Sequence, residues 1–174
     1  MPTRLPAAVL ALIGHEAPPL EATHPVEASE VRRFHHATMD SAPRYWDPAS
    51  PGARRFGGVV APPGFPVHAL RRAAAADDPL EHDDLGGLGG YGRALRPGLP
   101  PLDLPFERLL NGGYEYELFR YARLGERIVC RSRYKDIYQR DGSAGSMVFV
   151  VIEDDYVTAD GAPLLRVTNT MILR

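Results

Sequence analysis

The chain has 174 residues, 44% of them hydrophobic, and a formal net charge of −2. That length fits one domain, or one domain with a long insertion, and the apolar content excludes a disordered chain. A near-neutral balance excludes nucleic acid as a bulk electrostatic partner, and basic residues that are overwhelmingly Arg reflect genome composition before function.

The first apolar run, Ala7 to Ile13, is too short to cross a bilayer, and its flanks do not fit a secretory leader. A cytoplasmic protein with no membrane role is the expectation. Pro6 to Ile13 reads as one or two helical turns, with Pro6 early, where its missing N–H is harmless. Glu21 to Val26 reads as a short extended segment. Ser29 is the predicted N-cap of the next helix, with Val31, Phe34 and Ala37 or Thr38 at helical spacing, and Asp40-Ser41-Ala42-Pro43 stops it. Pro62-Pro63 opens an apolar helix running from Gly64 through Ala76, the candidate for a central, buried helix.

The composition then shifts. Residues 77–105 are rich in Gly and Pro and lack a periodic apolar set, which predicts a surface insertion in a single domain spanning 1–174. From Phe106 the period becomes two. Tyr114, Tyr116 and Leu118 alternate with Glu115 and Glu117, followed by Arg127 to Tyr138, the β-branched run Met147 to Val157, and Leu164 to Leu173. Asp141-Gly142 and Asp160-Gly161 between such runs predict antiparallel hairpins. In the last strand Leu165, Val167, Met171 and Leu173 share one face. Helices followed by long antiparallel strands give the α+β class.

Sites for metals and cofactors are not apparent. There is no zinc-ligand spacing, no phosphate loop and no nucleophile elbow, and Gly86 to Gly92 lies between loops rather than between a strand and a helix. No metal and no cofactor are expected. Cys130, the single cysteine, reads as a packing residue in a strand rather than a nucleophile. His35 and His36 are adjacent on a helix, so they are expected to face different ways. His68 reads as a core or interface residue, Trp46 likewise, and His15, His24 and His82 as surface residues.

Three blocks carry more than pattern: Val31 through Pro48, which contains Asp40-Ser41-Ala42-Pro43-Arg44-Tyr45; Val60 to Phe65; and Asn111-Gly112-Gly113-Tyr114 continuing to Ile128. Their order resembles the MaoC-like hydratases and dehydratases, and in particular the N-terminal-type domain related to the dehydratase region of fungal fatty-acid synthase. The family motif reads roughly Gly-Asp-x-Asn-Pro-(apolar)-His. Here Asp40 and Pro43 are kept, Ala42 stands at the Asn position and Tyr45 at the His position. By itself, Asp40 is equally well read as a turn or cap residue, and Tyr45 as a packed aromatic with its hydroxyl at the surface.

The resemblance implies a hot-dog fold, a curved antiparallel sheet wrapped round one central helix. It implies an (R)-specific 2-enoyl-thioester hydratase or 3-hydroxyacyl-thioester dehydratase, or a subunit of one, acting on acyl-CoA or an acyl-carrier thioester in fatty acid metabolism. Asp40 and Tyr45 are then the catalytic positions, and Ala61, Pro62, Pro63, Gly64, Phe65, Asn111, Gly112 and Gly113 the substrate-binding ones. Since a phenol is a poor base at neutral pH, Tyr45 is expected to donate a hydrogen bond while a partner supplies the intact Asp–His pair. A homodimer, or a heterodimer with a second hot-dog subunit, is expected. The rival reading is a non-catalytic acyl-thioester-binding subunit. A hot-dog thioesterase would need a carboxylate on the helix from Gly64 to Ala76, and none is there. For Asn111-Gly112-Gly113, a bulge and a close approach of ligand are both open.

Overall fold

The computed structural model describes residues 4–70, 95–106, 108–142 and 145–174. The elements run α1 (Ala7–Leu10), β1 (Leu20–Glu21), α2 (Ala28–Ala37), a 3-10 turn (Pro43–Tyr45), α3 (Pro51–Arg55), α4 (Phe65–Ala69), β2 (Leu109–Leu118), β3 (Ile128–Gly142), β4 (Gly145–Thr158) and β5 (Pro163–Leu173). The strands form one five-stranded sheet in the order β1-β3-β4-β5-β2, with every pairing antiparallel. Both expected hairpins are present. The class is α+β and the fold is the hot-dog fold.

Period-two patterning explains the inner face of the sheet. Val148, Val150 and Ile152 on β4 are buried, as are Ile128, Cys130, Tyr134 and Ile137 on β3 and Leu165, Val167 and Leu173 on β5. Toward one end of the sheet, Ile128, Cys130, Tyr156, Leu165 and Val167 share a core with Val31 of α2, Tyr45, Ala61 and Phe65 of α4. Toward the other, Tyr134, Ile137, Val150, Ile152 and Leu173 share a core with Val9 of α1 and with four leucines, Leu95, Leu99, Leu102 and Leu104.

Those leucines correct the sequence reading. Residues 95–104 were expected in a surface insertion, yet Leu102 and Leu104 are almost fully buried. The segment is fastened by a long-range polar link: Arg96 donates to Asp154 on β4 and to Asn169 on β5. Asp154 also accepts from Ser132 on β3 at 2.6 Å, so its buried charge is paired and hydrogen-bonded, as burial requires. The remainder of the expected insertion, residues 77–94, lies outside the described residues, as do Ala73 to Ala76 and His82. The apolar helix from Gly64 is therefore described only over Phe65–Ala69.

Two smaller differences concern element starts. Helix α2 begins at Ala28, with Glu27 as its N-cap and no side-chain capping bond, so Ser29 sits inside the first turn rather than at the cap. On β2 the register shifts between Asn111 and Gly113, which makes Asn111-Gly112-Gly113 a bulge. Gly113 has φ 134°. A Cβ on Gly112 would stand 2.9 Å from the Thr170 carbonyl oxygen. Both glycines are thus required by the sheet itself.

Candidate active site

The site begins where α2 ends. Asp40 N–H donates to the His35 carbonyl at 2.9 Å, and Met39 N–H to the His36 carbonyl at 3.1 Å. Those paired bonds are a Schellman closure, which wants a left-handed residue just past the cap. Met39 takes that place with φ 54°, where glycine is the usual occupant. The chain reverses there, and Asp40 Oδ1 accepts from Ala42 N–H at 3.1 Å. That is a local Asx turn, so the plain turn role of Asp40 is fulfilled, and its second carboxylate oxygen is not part of that bond.

Tyr45 comes next, in the 3-10 turn that Pro43 starts. Its ring is 2% exposed. The Arg44 guanidinium lies 4.8 Å from the ring centre and donates to Tyr45 Oη at 3.0 Å. The hydroxyl is therefore not at the surface, as the bland reading had it. Burial raises the Tyr45 pKa above its ordinary value, the Arg44 hydrogen bond and charge oppose that, and the nearby Asp40 charge adds to the rise. A phenol in that setting keeps its proton and can donate it. Helix α3 holds this turn from behind: Ser50 Oγ caps it through Ala53 N–H, and Gly52 leaves room for Arg44 Cβ, 3.0 Å from where a Cβ would be.

Asp40 and Tyr45 open onto one cavity of about 840 Å³. Its walls include Arg32, His35, His36, Met39, Ser41, Trp46, Val59 and Leu124. The volume lies within the range of small-molecule sites, ~300–1,000 Å³. The rim is open and mixed: Met39 is 89% exposed, Trp46 54% and Leu124 40%, and the polar Arg32, His36 and Ser41 are exposed beside them. Trp46 is thus not a core residue. His35 and His36 both line the cavity, with ring centres 4.5 Å apart, contrary to the expectation that they face different ways.

The other expected substrate-binding positions lie elsewhere. None of Ala61, Pro62, Pro63, Gly64, Phe65, Asn111, Gly112 or Gly113 lines this cavity. Ala61 and Phe65 are core residues. Their N–H groups are spent internally, on the Ala122 and Pro62 carbonyls. Since Pro62 and Pro63 carry no N–H, the turn retains one backbone donor to offer, that of Gly64. Asn111 Oδ1 accepts from Gly113 N–H and from Asn169, within the sheet. His68 is half-buried between Phe34 and Phe65, 3.6 Å from Glu30. Burial pushes the Cys130 thiol up to about 12, which disqualifies it as a nucleophile at neutral pH.

Residues 11–167 match the family described as FAS1-like, dehydratase domain region. The chain belongs to that family. Among curated relatives of this FAS1-like dehydratase-region chain is a UPF0336 protein from Saccharopolyspora erythraea, 26% identical over 162 residues, covering 93% of this chain and 88% of that protein. Among solved structures, the ChsH1-ChsH2 complex from Mycobacterium tuberculosis superposes with a TM-score of 0.64 at 21% identity, over 95% of this chain and 86% of that one. A MaoC-like dehydratase from Rhodospirillum rubrum gives 0.54 at 18% identity, over 90% of each. The MaoC-like resemblance of the sequence motif and the hot-dog fold therefore agree.

Sequence reasoning missed two members of the site. His35 sits four residues after Val31, so it shares the buried face of α2, but a histidine does not register as an apolar position. Arg44 is adjacent to Tyr45, and nothing in a single sequence says that its guanidinium folds back over the neighbouring ring. Among the described residues no cluster of His, Cys, Asp and Glu could hold a metal ion, and no helix is long and apolar enough to cross a membrane.

Proposed function

We propose that the chain is a subunit of an (R)-specific 2-enoyl-thioester hydratase, working equally as a 3-hydroxyacyl-thioester dehydratase, on acyl-CoA or an acyl-carrier thioester. In hydration, the oxygen of water bonds to Cβ as the C=C electron pair moves toward the thioester carbonyl, the partner's Asp–His pair takes the water's proton, and that proton is returned to Cα as the enolate collapses. Asp40 orients the water through its free oxygen, and Tyr45 donates a hydrogen bond from a hydroxyl that Arg44 holds. The observation that carries the reading is the one cavity onto which Asp40 and Tyr45 both open, with the apolar Met39, Trp46 and Leu124 at its mouth to meet an acyl chain.

The chain by itself lacks a general base in the place of Tyr45, which supports a partner carrying the intact Asp–His pair. The open flank of the sheet supports the same idea. Among the described residues strand β2 pairs only with β5, and Leu110, Tyr114, Tyr116 and Leu118 along it are all exposed. Long apolar edges are rarely left bare. A second hot-dog sheet is the natural cover for that edge. Tyr45 in the place of the family's His also favours the rival reading, in which this subunit only binds the acyl thioester and completes the dimer.

One assay separates the two. Hydration of crotonyl-CoA is followed with the purified chain alone, with a second hot-dog subunit bearing the Asp–His pair, and with Asp40→Asn in that complex. The proposal expects turnover in the complex, little alone, and a loss of about 10²–10⁴-fold on Asp40→Asn. Unchanged turnover on Asp40→Asn would leave the chain as a binding subunit, and full activity alone, abolished by Tyr45→Phe, would remove the need for a partner.

A further inference from the structure

His35 is a polar ring in a place that packing would fill with an aliphatic or aromatic side chain. It is 4% exposed, one helical turn beyond Val31. Its Nδ1 lies 3.2 Å from the Asp40 carbonyl oxygen. A carbonyl only accepts, so Nδ1 carries the hydrogen. In the neutral ring the lone pair then sits on Nε2, which is buried and has no hydrogen-bond partner among the described residues. An unsatisfied buried nitrogen is unfavourable relative to phenylalanine or leucine at the same position. Core packing therefore does not account for histidine here, and the bond to Asp40 does.

The backbone closes the same pair from the other side, since Asp40 N–H donates to the His35 carbonyl. Two bonds of opposite direction clasp the reversal between them. At its centre is Met39, in a left-handed conformation that local preference does not favour. Without the His35 ring, one backbone bond and the Asx turn to Ala42 would be left to fix where the Asp40 carboxylate points.

We infer that His35 is a positioning residue for Asp40, holding its backbone so that the carboxylate faces the cavity. The inference rests on the proposed role of Asp40 in orienting water. His35 acts through Asp40, because its own Nε2 is sealed from solvent.

The test uses three variants in the assembled complex. His35→Phe keeps a ring of similar size and removes both nitrogens. His35→Asn places an amide N–H close to the position of Nδ1, and His35→Gln carries its amide out toward Nε2. The expected result is a kcat lowered about 10–10²-fold in His35→Phe and His35→Gln, with KM within about twofold, and most of the loss recovered in His35→Asn. Equal kcat in His35→Phe and wild type overturns the inference, as does equal loss in His35→Asn and His35→Gln. The 15N spectrum of the wild-type imidazole must place the proton of the neutral ring on Nδ1, and a proton on Nε2 overturns it too. Should the wild-type complex show no turnover, the dehydratase reading fails instead. Hydrogen exchange at the Ala42 amide, which Asp40 accepts, then decides: it speeds up in His35→Phe and returns in His35→Asn if the inference holds, and is unchanged in both if it does not.

Discussion

A phenol with a guanidinium on its oxygen and almost no exposure is built to donate, not to abstract a proton. Tyr45 is in that state, and its raised pKa has a direct consequence for pH dependence. An ordinary tyrosine ionises near ~10. With the folded value higher still, Tyr45 is neutral throughout the working range, and any alkaline fall in rate below about pH 10 belongs to another group. Tyr45→Phe is therefore expected to lower kcat about tenfold, the worth of one well-placed hydrogen bond, without moving the limbs of the pH–rate profile. The profiles of wild type and variant, measured side by side, check this. Asp40 and Tyr45 were legible because they stand in a motif with fixed spacing. His35 and Arg44 were not, because their roles arise from a ring folding back on a carbonyl five residues on and from a guanidinium lying over its neighbour's ring.

The strands were the most legible elements. Each of β3, β4 and β5 combines β-branched residues with an alternating pattern, and Asp-Gly pairs mark the turns between them. Helix α2 was found through Val31 and Phe34, though its start was misjudged because no side chain caps it. The segment 95–104 was misread for a different reason. Leu95, Leu99 and Leu102 stand at i, i+4 and i+7, but Pro97, Pro100 and Pro101 interrupt them, so the helical spacing did not register as a sign of burial. What fixes them is Arg96, reaching residues 58 and 73 positions away in sequence. The Asp154 side chain is 3% exposed, against 20% for Arg96. Removing the cation would leave that carboxylate buried and unpaired. Arg96→Ala is expected to destabilise the fold by about 3 kcal/mol or more, read as a lowered urea midpoint with unchanged cooperativity. Asp154→Asn, which removes the charge but keeps the shape, should restore part of the loss in the double variant.

For the whole molecule, the sheet supplies two long elements of function from one architecture. Its inner face carries the core that fixes α2 and the Asp40 reversal at one end. Its β2 edge exposes Leu110, Tyr114, Tyr116 and Leu118. The cavity lies against the first of these, with a mouth of Met39, Trp46 and Leu124 open to solvent. Membership of the FAS1-like dehydratase-region family and the hot-dog fold place the chain among proteins whose name refers to water removal, and the Asp40–Tyr45 cavity is where this chain would take part.

The most direct test of that placement is binding of butyryl-CoA, a saturated thioester that cannot be hydrated, to the chain assembled with the proposed second hot-dog subunit. Titration calorimetry would compare wild type with Ala28→Trp, which fills the cavity wall, and with Arg131→Trp on an exposed strand position. Affinity lowered about tenfold or more by Ala28→Trp and unchanged by Arg131→Trp is the expected result. Equal affinity for all three proteins, or no binding by the wild-type assembly, would contradict it.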